Sequence, residues 1–87
     1  MSHPIIRVAI ADDHPVIRMG IEAAIDETPT LSCIGAVADS SALVALLQHS
    51  PCDVVVTDYA MPGGAFGDGL QLLDYLRTHF PDLRLVV

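Results

Sequence analysis

Apolar residues along the chain fall into unbroken runs that alternate with helical stripes. Ile5 to Ala11 is apolar at nearly every position apart from Arg7, which suits a strand buried on both faces of a parallel sheet. Asp13-His14-Pro15 then opens a helix, since proline at the first helical position gives up an N–H that had no partner there. Ile17, Ile21, Ala24 and Ile25 recur at helical spacing as its core stripe, with Pro15, Met19, Glu22 and Asp26 on the opposite face. Leu31 to Val37 reads as a second strand, in which Gly35 marks a close approach or a bulge. Asp39 or Ser40 caps a second helix with the stripe Leu43, Leu46 and Leu47, broken at Pro51-Cys52-Asp53. Val54 to Thr57 is a third, β-branched strand, after which Pro62, Gly63 and Gly64 interrupt regular structure. Asp68 and Gln71 have capping-box spacing, and the third helix is expected to turn Leu70, Leu73, Leu76 and Phe80 inward before Pro81. Leu83 to Val87 starts a fourth strand. Strand and helix alternate throughout, so the fold class is α/β, a parallel sheet with right-handed crossovers and helices on both faces.

Length and composition narrow the picture. Eighty-seven residues, 52% of them hydrophobic, make one small ordered domain. No apolar run approaches a membrane span and no signal sequence opens the chain, so a cytoplasmic location is expected. The net charge of -7 argues against this segment gripping a nucleic-acid backbone by itself. All four cationic side chains are arginines (Arg7, Arg18, Arg77, Arg84), and without lysine or a GxxxxGK[ST] motif a P-loop is excluded. Cys33 and Cys52 lack disulfide or zinc spacing, and the scattered histidines (His3, His14, His49, His79) do not suggest a histidine-rich metal site. Val87 lies within an apolar run, so residues 1–87 are expected to be an incomplete domain, its C-terminal portion and any effector domain absent.

The acids carry the chemistry. Asp12-Asp13 ends the first strand and Asp58 ends the third, and carboxyl ends of strands are where open α/β sheets gather ligands. Acids before a helix also serve as caps, but three at two strand ends exceed that need. Clustered carboxylates repel, so one pKa should rise unless a cation is held there. Magnesium fits best, as a hard cation that takes one or two carboxylates and phosphate oxygens. Asp58 then acts as ligand, base or nucleophile, the last giving an aspartyl phosphate. A phosphatase of the haloacid-dehalogenase type would place a second Asp two residues on, where this chain has Ala60.

ADDHPVIRMGI, then VVVTDYAMPG and GDGLQLLDYL, resembles a bacterial response-regulator receiver domain across essentially the whole chain. The DDHP opening is similar to the NarL/FixJ class, and MPGGAFGDG with RTHFPDL resembles more narrowly the capsule-synthesis regulators of the Rcs phosphorelay. The resemblance implies a flavodoxin-like doubly wound sheet of strand order 2-1-3-4-5, of which four strands fall in this chain. It implies Asp58 as phosphoacceptor and Mg2+ held by Asp13 directly, by Asp12 through water or by positioning it, by Asp58 and by the Ala60 backbone carbonyl. Pro62 and Gly63 would shape the adjoining loop. The donor would be a phosphohistidine on a histidine kinase or phosphotransfer protein. The complete domain would catalyse only its own phosphorylation and slow dephosphorylation. A dimer would bind DNA only through a C-terminal helix-turn-helix domain. The family's switch Ser/Thr and lysine fall beyond Val87, so residues 1–87 alone are expected to turn over poorly. Met19 reads either as a stray exposed apolar residue or as a docking position for the phosphodonor, and the Gly63 to Gly67 extension with Phe66 either as loop slack or as a flap that tunes access to Asp58. The alternative is a receiver-like interaction module that is never phosphorylated, and a metal-dependent phosphohydrolase is a weaker rival.

Overall fold

A computed structural model of the chain describes residues 4–59, 64–65 and 69–87. The Ala60 carbonyl, Pro62, Gly63, Phe66 and the Asp68 cap therefore lie outside the described residues. The elements run β1 (Ile6–Ala11), α1 (Pro15–Asp26), β2 (Leu31–Val37), α2 (Ser40–His49), β3 (Val54–Thr57), α3 (Gly69–His79) and β4 (Arg84–Val86). The strands form one parallel sheet in the order β2-β1-β3-β4. The expected order of elements, and the part of the flavodoxin-like strand order that this chain can show, are both present.

Period-two alternation along β1 sorts the core into two layers. Ala9 and Ala11 point to the layer completed by Leu43 and Leu47 of α2, Leu72 and Leu76 of α3, and Val55. Val8 and Ile10 point to the other layer, completed by Ile25 of α1. That second layer is thinly covered. A helix about 10 Å wide cannot roof four strands about 4.8 Å apart. Ile17, Ile21 and Ala24 accordingly line an apolar groove of about 590 Å³ with Val54 and Val56, and Ile17 remains 51% exposed. The α1 stripe is correctly placed, but only Ile25 of it is buried.

Two other stripes shift. In α2, Val44 joins Leu43 and Leu47 in the interior, while Leu46 lies half-buried over Gly35. In α3 the buried positions are Gly69, Leu72 and Leu76, and Leu70 is 66% exposed. Leucines at 70, 72, 73 and 76 permit two helical stripes, and docking on the sheet selects the one through Leu72. Gly69 has φ +55, and a Cβ there would come within 3.1 Å of the Tyr59 ring. Glycine alone suits both constraints.

Local signals in the sequence have direct counterparts. Asp39 caps α2, its side chain accepting from the Ala42 N–H at 2.8 Å. The β1–β2 register slips between Val8 and Ala9, leaving Ile34 as the extra residue beside Gly35. Gly35 is also a close approach, because a Cβ would meet Leu46 at 2.7 Å.

Arg7 and Asp53 join the N-terminal ends of β1 and β3. The guanidinium reaches both carboxylate oxygens at 3.1 Å, and the Arg7 N–H adds a third bond at 2.8 Å. These hydrogen bonds from Arg7 hold Asp53 below the usual carboxylate range. A depressed folded-state pKa supplies stability above the unfolded value, about pH 4, and loses it as pH falls through the folded value. Melting temperature should therefore fall on acidification from about pH 4 downward, and less steeply in Asp53→Asn. Thermal melts across that range check this.

Candidate metal and phosphoacceptor site

Register brings the acids together. Ala11 of β1 pairs with Thr57 of β3, so Asp12 and Asp58 leave neighbouring strands at the same level. The Asp58 N–H donates to the Ala11 carbonyl at 2.8 Å, and the Asp12 N–H to the Val37 carbonyl at 3.0 Å. Both strand ends are thus anchored in the sheet beyond the last ladder residue.

Asp12, Asp13, His14 and Asp58 present ligand atoms that all lie within 4.8 Å of one another. Asp12 is the deepest, at 7% exposure. Its Oδ1 accepts from both the His14 N–H and His14 Nδ1, each at 2.8 Å. Arg18, one turn into α1, donates from Nη1 to the Asp12 carbonyl at 2.8 Å. Asp13 Oδ1 is sealed from solvent, and its 3.0 Å approach to His14 Nδ1 does not amount to a hydrogen bond. Asp58 Oδ2 lies 3.5 Å from the same nitrogen, with the side chain 28% exposed.

Charge follows this arrangement. The Asp12 hydrogen bond, then the Asp13 charge, raise the His14 pKa above its ordinary value, against an opposing effect of burial. Burial pushes Asp12 upward, yet bonds from the His14 backbone and ring outweigh it and leave Asp12 below the usual range. Clustering therefore does not raise Asp12, because the His14 bonds outweigh the effect of burial there. Three carboxylates, one with a solvent-free oxygen lacking any hydrogen-bond partner, fit a hard divalent cation.

The response regulator receiver domain profile matches residues 8–87. The chain belongs to this receiver family. As a receiver domain it is 39% identical over 80 residues to the transcriptional regulatory protein RcsB of Escherichia coli K12, covering 92% of this chain and 37% of that protein. It is 32% identical over 74 residues to a probable transcriptional regulatory protein NarL of Mycobacterium tuberculosis, covering 85% of this chain and 33% of that one. It superposes on the crystal structure of the non-phosphorylated receiver domain of Escherichia coli RcsB with a TM-score of 0.88 at 37% identity, covering 93% of this chain and 62% of that one. An RcsB–DNA complex gives 0.91 at 37% identity, covering 95% of this chain and 41% of that one. The receiver chain thus spans about a third of the length of the regulators it matches.

The three acids named from the sequence converge in this receiver. His14, which the sequence placed only at the opening of the helix, has its ring standing among all three. The signal was present in Asp-Asp-His-Pro: an N-cap residue can fold its side chain back toward the strand it follows. Arg18, four residues beyond His14, faces the same strand end for the same helical reason. Cys33 and Cys52 are half-buried free thiols, raised above the ordinary thiol pKa mainly by burial, and take no part in the cluster.

Proposed function

We propose that this chain is the receiver portion of a two-component or phosphorelay transcription regulator, with Asp58 accepting a phosphoryl group from a phosphohistidine. The observation that carries this reading is the meeting of Asp12, Asp13 and partly open Asp58 at adjacent strand ends. Asp13, Asp12, Asp58 and the Ala60 carbonyl are the groups we assign to Mg2+. When bound, Mg2+ supplies positive charge against incoming phosphoryl oxygens, which three carboxylates would otherwise repel. An Asp58 oxygen attacks phosphorus, the new P–O bond replaces the P–N bond, and the electron pair stays on the donor imidazole. The domain is a substrate that assists its own modification rather than an enzyme acting on others. The donor is a histidine kinase or phosphotransfer protein, and DNA is engaged by a dimer through a separate domain, as the RcsB–DNA complex and the paired RcsB dimers on DNA support. A cytoplasmic site of action accords with this role, and no helix among the described residues is long and apolar enough to cross a membrane.

A second reading, a module that works by binding alone, draws on the outer face of α1, where Val16 and Met19 are 82% and 67% exposed. One experiment separates the two. The natural protein is incubated with a small-molecule phosphodonor in Mg2+ or in excess chelator, and its intact mass is recorded. The phosphotransfer reading expects a single phosphoryl adduct in Mg2+ and none with chelator. No adduct in either condition favours the binding module.

A further inference from the structure

We propose that the His14 ring is a built-in competitor of the divalent cation, seated among the three carboxylates and vacating them when the cation is held. The inference rests on reading Asp12, Asp13 and Asp58 as the groups that hold the ion. His14 Nδ1 lies 2.8 Å from Asp12, 3.0 Å from Asp13 and 3.5 Å from Asp58, so a single nitrogen faces every acid of the site. It serves them incompletely. It donates one hydrogen bond, to Asp12, and leaves Asp13 Oδ1 sealed without one. A buried acceptor left in that condition favours exchange for a partner able to meet several oxygens at once.

The ring is free to leave while its backbone stays. The His14 side chain is 60% exposed, so little packing is lost when it turns outward. Its N–H remains bonded to Asp12 Oδ1, and its carbonyl accepts from the Arg18 N–H at 2.9 Å as the first turn of α1. Rotation about the side-chain torsion alone would open the site. A neutral imidazole with its hydrogen on Nδ1 makes the same Asp12 bond as a charged one, so the competition does not depend on the ring's protonation. The device gives a metal-free receiver in which the ring occupies the place between the acids and hydrogen-bonds Asp12, at the expense of cation affinity.

The test is a Mg2+ titration followed by backbone amide NMR shifts near Asp13 and Asp58, in wild type and His14→Ala. If the ring-in state holds about 80–90% of molecules, the variant binds Mg2+ about five- to tenfold more tightly. In wild type, saturating Mg2+ should shift the His14 Nδ1 resonance as its bond to Asp12 is lost, a measurement that needs no variant to fold. Equal or weaker binding in His14→Ala, or a ring signal unmoved at saturation, overturns the competition while leaving the metal site standing. Failure of Mg2+ to bind either protein overturns the competition and the metal assignment together.

Discussion

Asp58→Asn carries no phosphoryl adduct under conditions that load the wild-type protein. An amide oxygen has neither the charge nor the nucleophilicity of a carboxylate, and it also withdraws one charge from the cation site. The substitution changes almost no volume, and the backbone bond from residue 58 to the Ala11 carbonyl is independent of the side chain. Removing one of three crowded negative charges relieves repulsion, so the melting temperature should hold or rise. A lost adduct with an intact melt therefore reports chemistry and not unfolding. Intact mass and thermal melting on the same preparations check both halves. Full labelling of Asp58→Asn would mean that another side chain accepts the group.

Leu76→Ala should destabilise the domain by about 2–5 kcal/mol, a large share of the roughly 5–10 kcal/mol that holds a small domain together. Leu76 has no exposed surface and sits with Leu72, Leu43, Ala9 and Val55 in the layer between the sheet and helices α2 and α3. A methyl cannot fill that space, and the neighbouring strands are too well anchored to close over it. The melting temperature should drop by about 10 °C or more. Leu70→Ala is the informative companion, because Leu70 lies on the solvent side of the same helix and should cost no more than about 0.5 kcal/mol. Equal losses at the two positions would contradict the orientation of α3.

How legible the molecule was depends on the range of the forces concerned. Strand and helix order could be read because β1 is apolar on both faces and α1 opens at proline, both local facts. The Asp39 cap and the bulge beside Gly35 were legible for the same reason. Which leucines of α3 face inward was not, because the competing stripes are equally helical and only contact with the sheet decides between them. The incomplete burial of Ile17 and Ala24 was also hidden, since the width of a sheet against one helix is a tertiary quantity. At the site, Asp12, Asp13 and Asp58 stood out because acids at strand ends are costly without a purpose. The His14 ring escaped notice because the Asp-Asp-His-Pro signal sets its N-cap position, whereas the side-chain rotation that turns the ring onto the acids is not set by spacing. Ala60 rests on the family pattern and lies outside the described residues, as does the glycine loop apart from Gly64 and Ala65.

Whether Asp58 is the acceptor is tested by mapping the modified residue itself. The protein is loaded from a phosphohistidine donor, the acyl phosphate is reduced chemically to fix its position, and peptides are sequenced by mass spectrometry. One reduced position is expected, residue 58, in the peptide that follows Arg18 and ends at Arg77 after cleavage at arginine. A label at Asp12 or Asp13, or on a histidine, would contradict it.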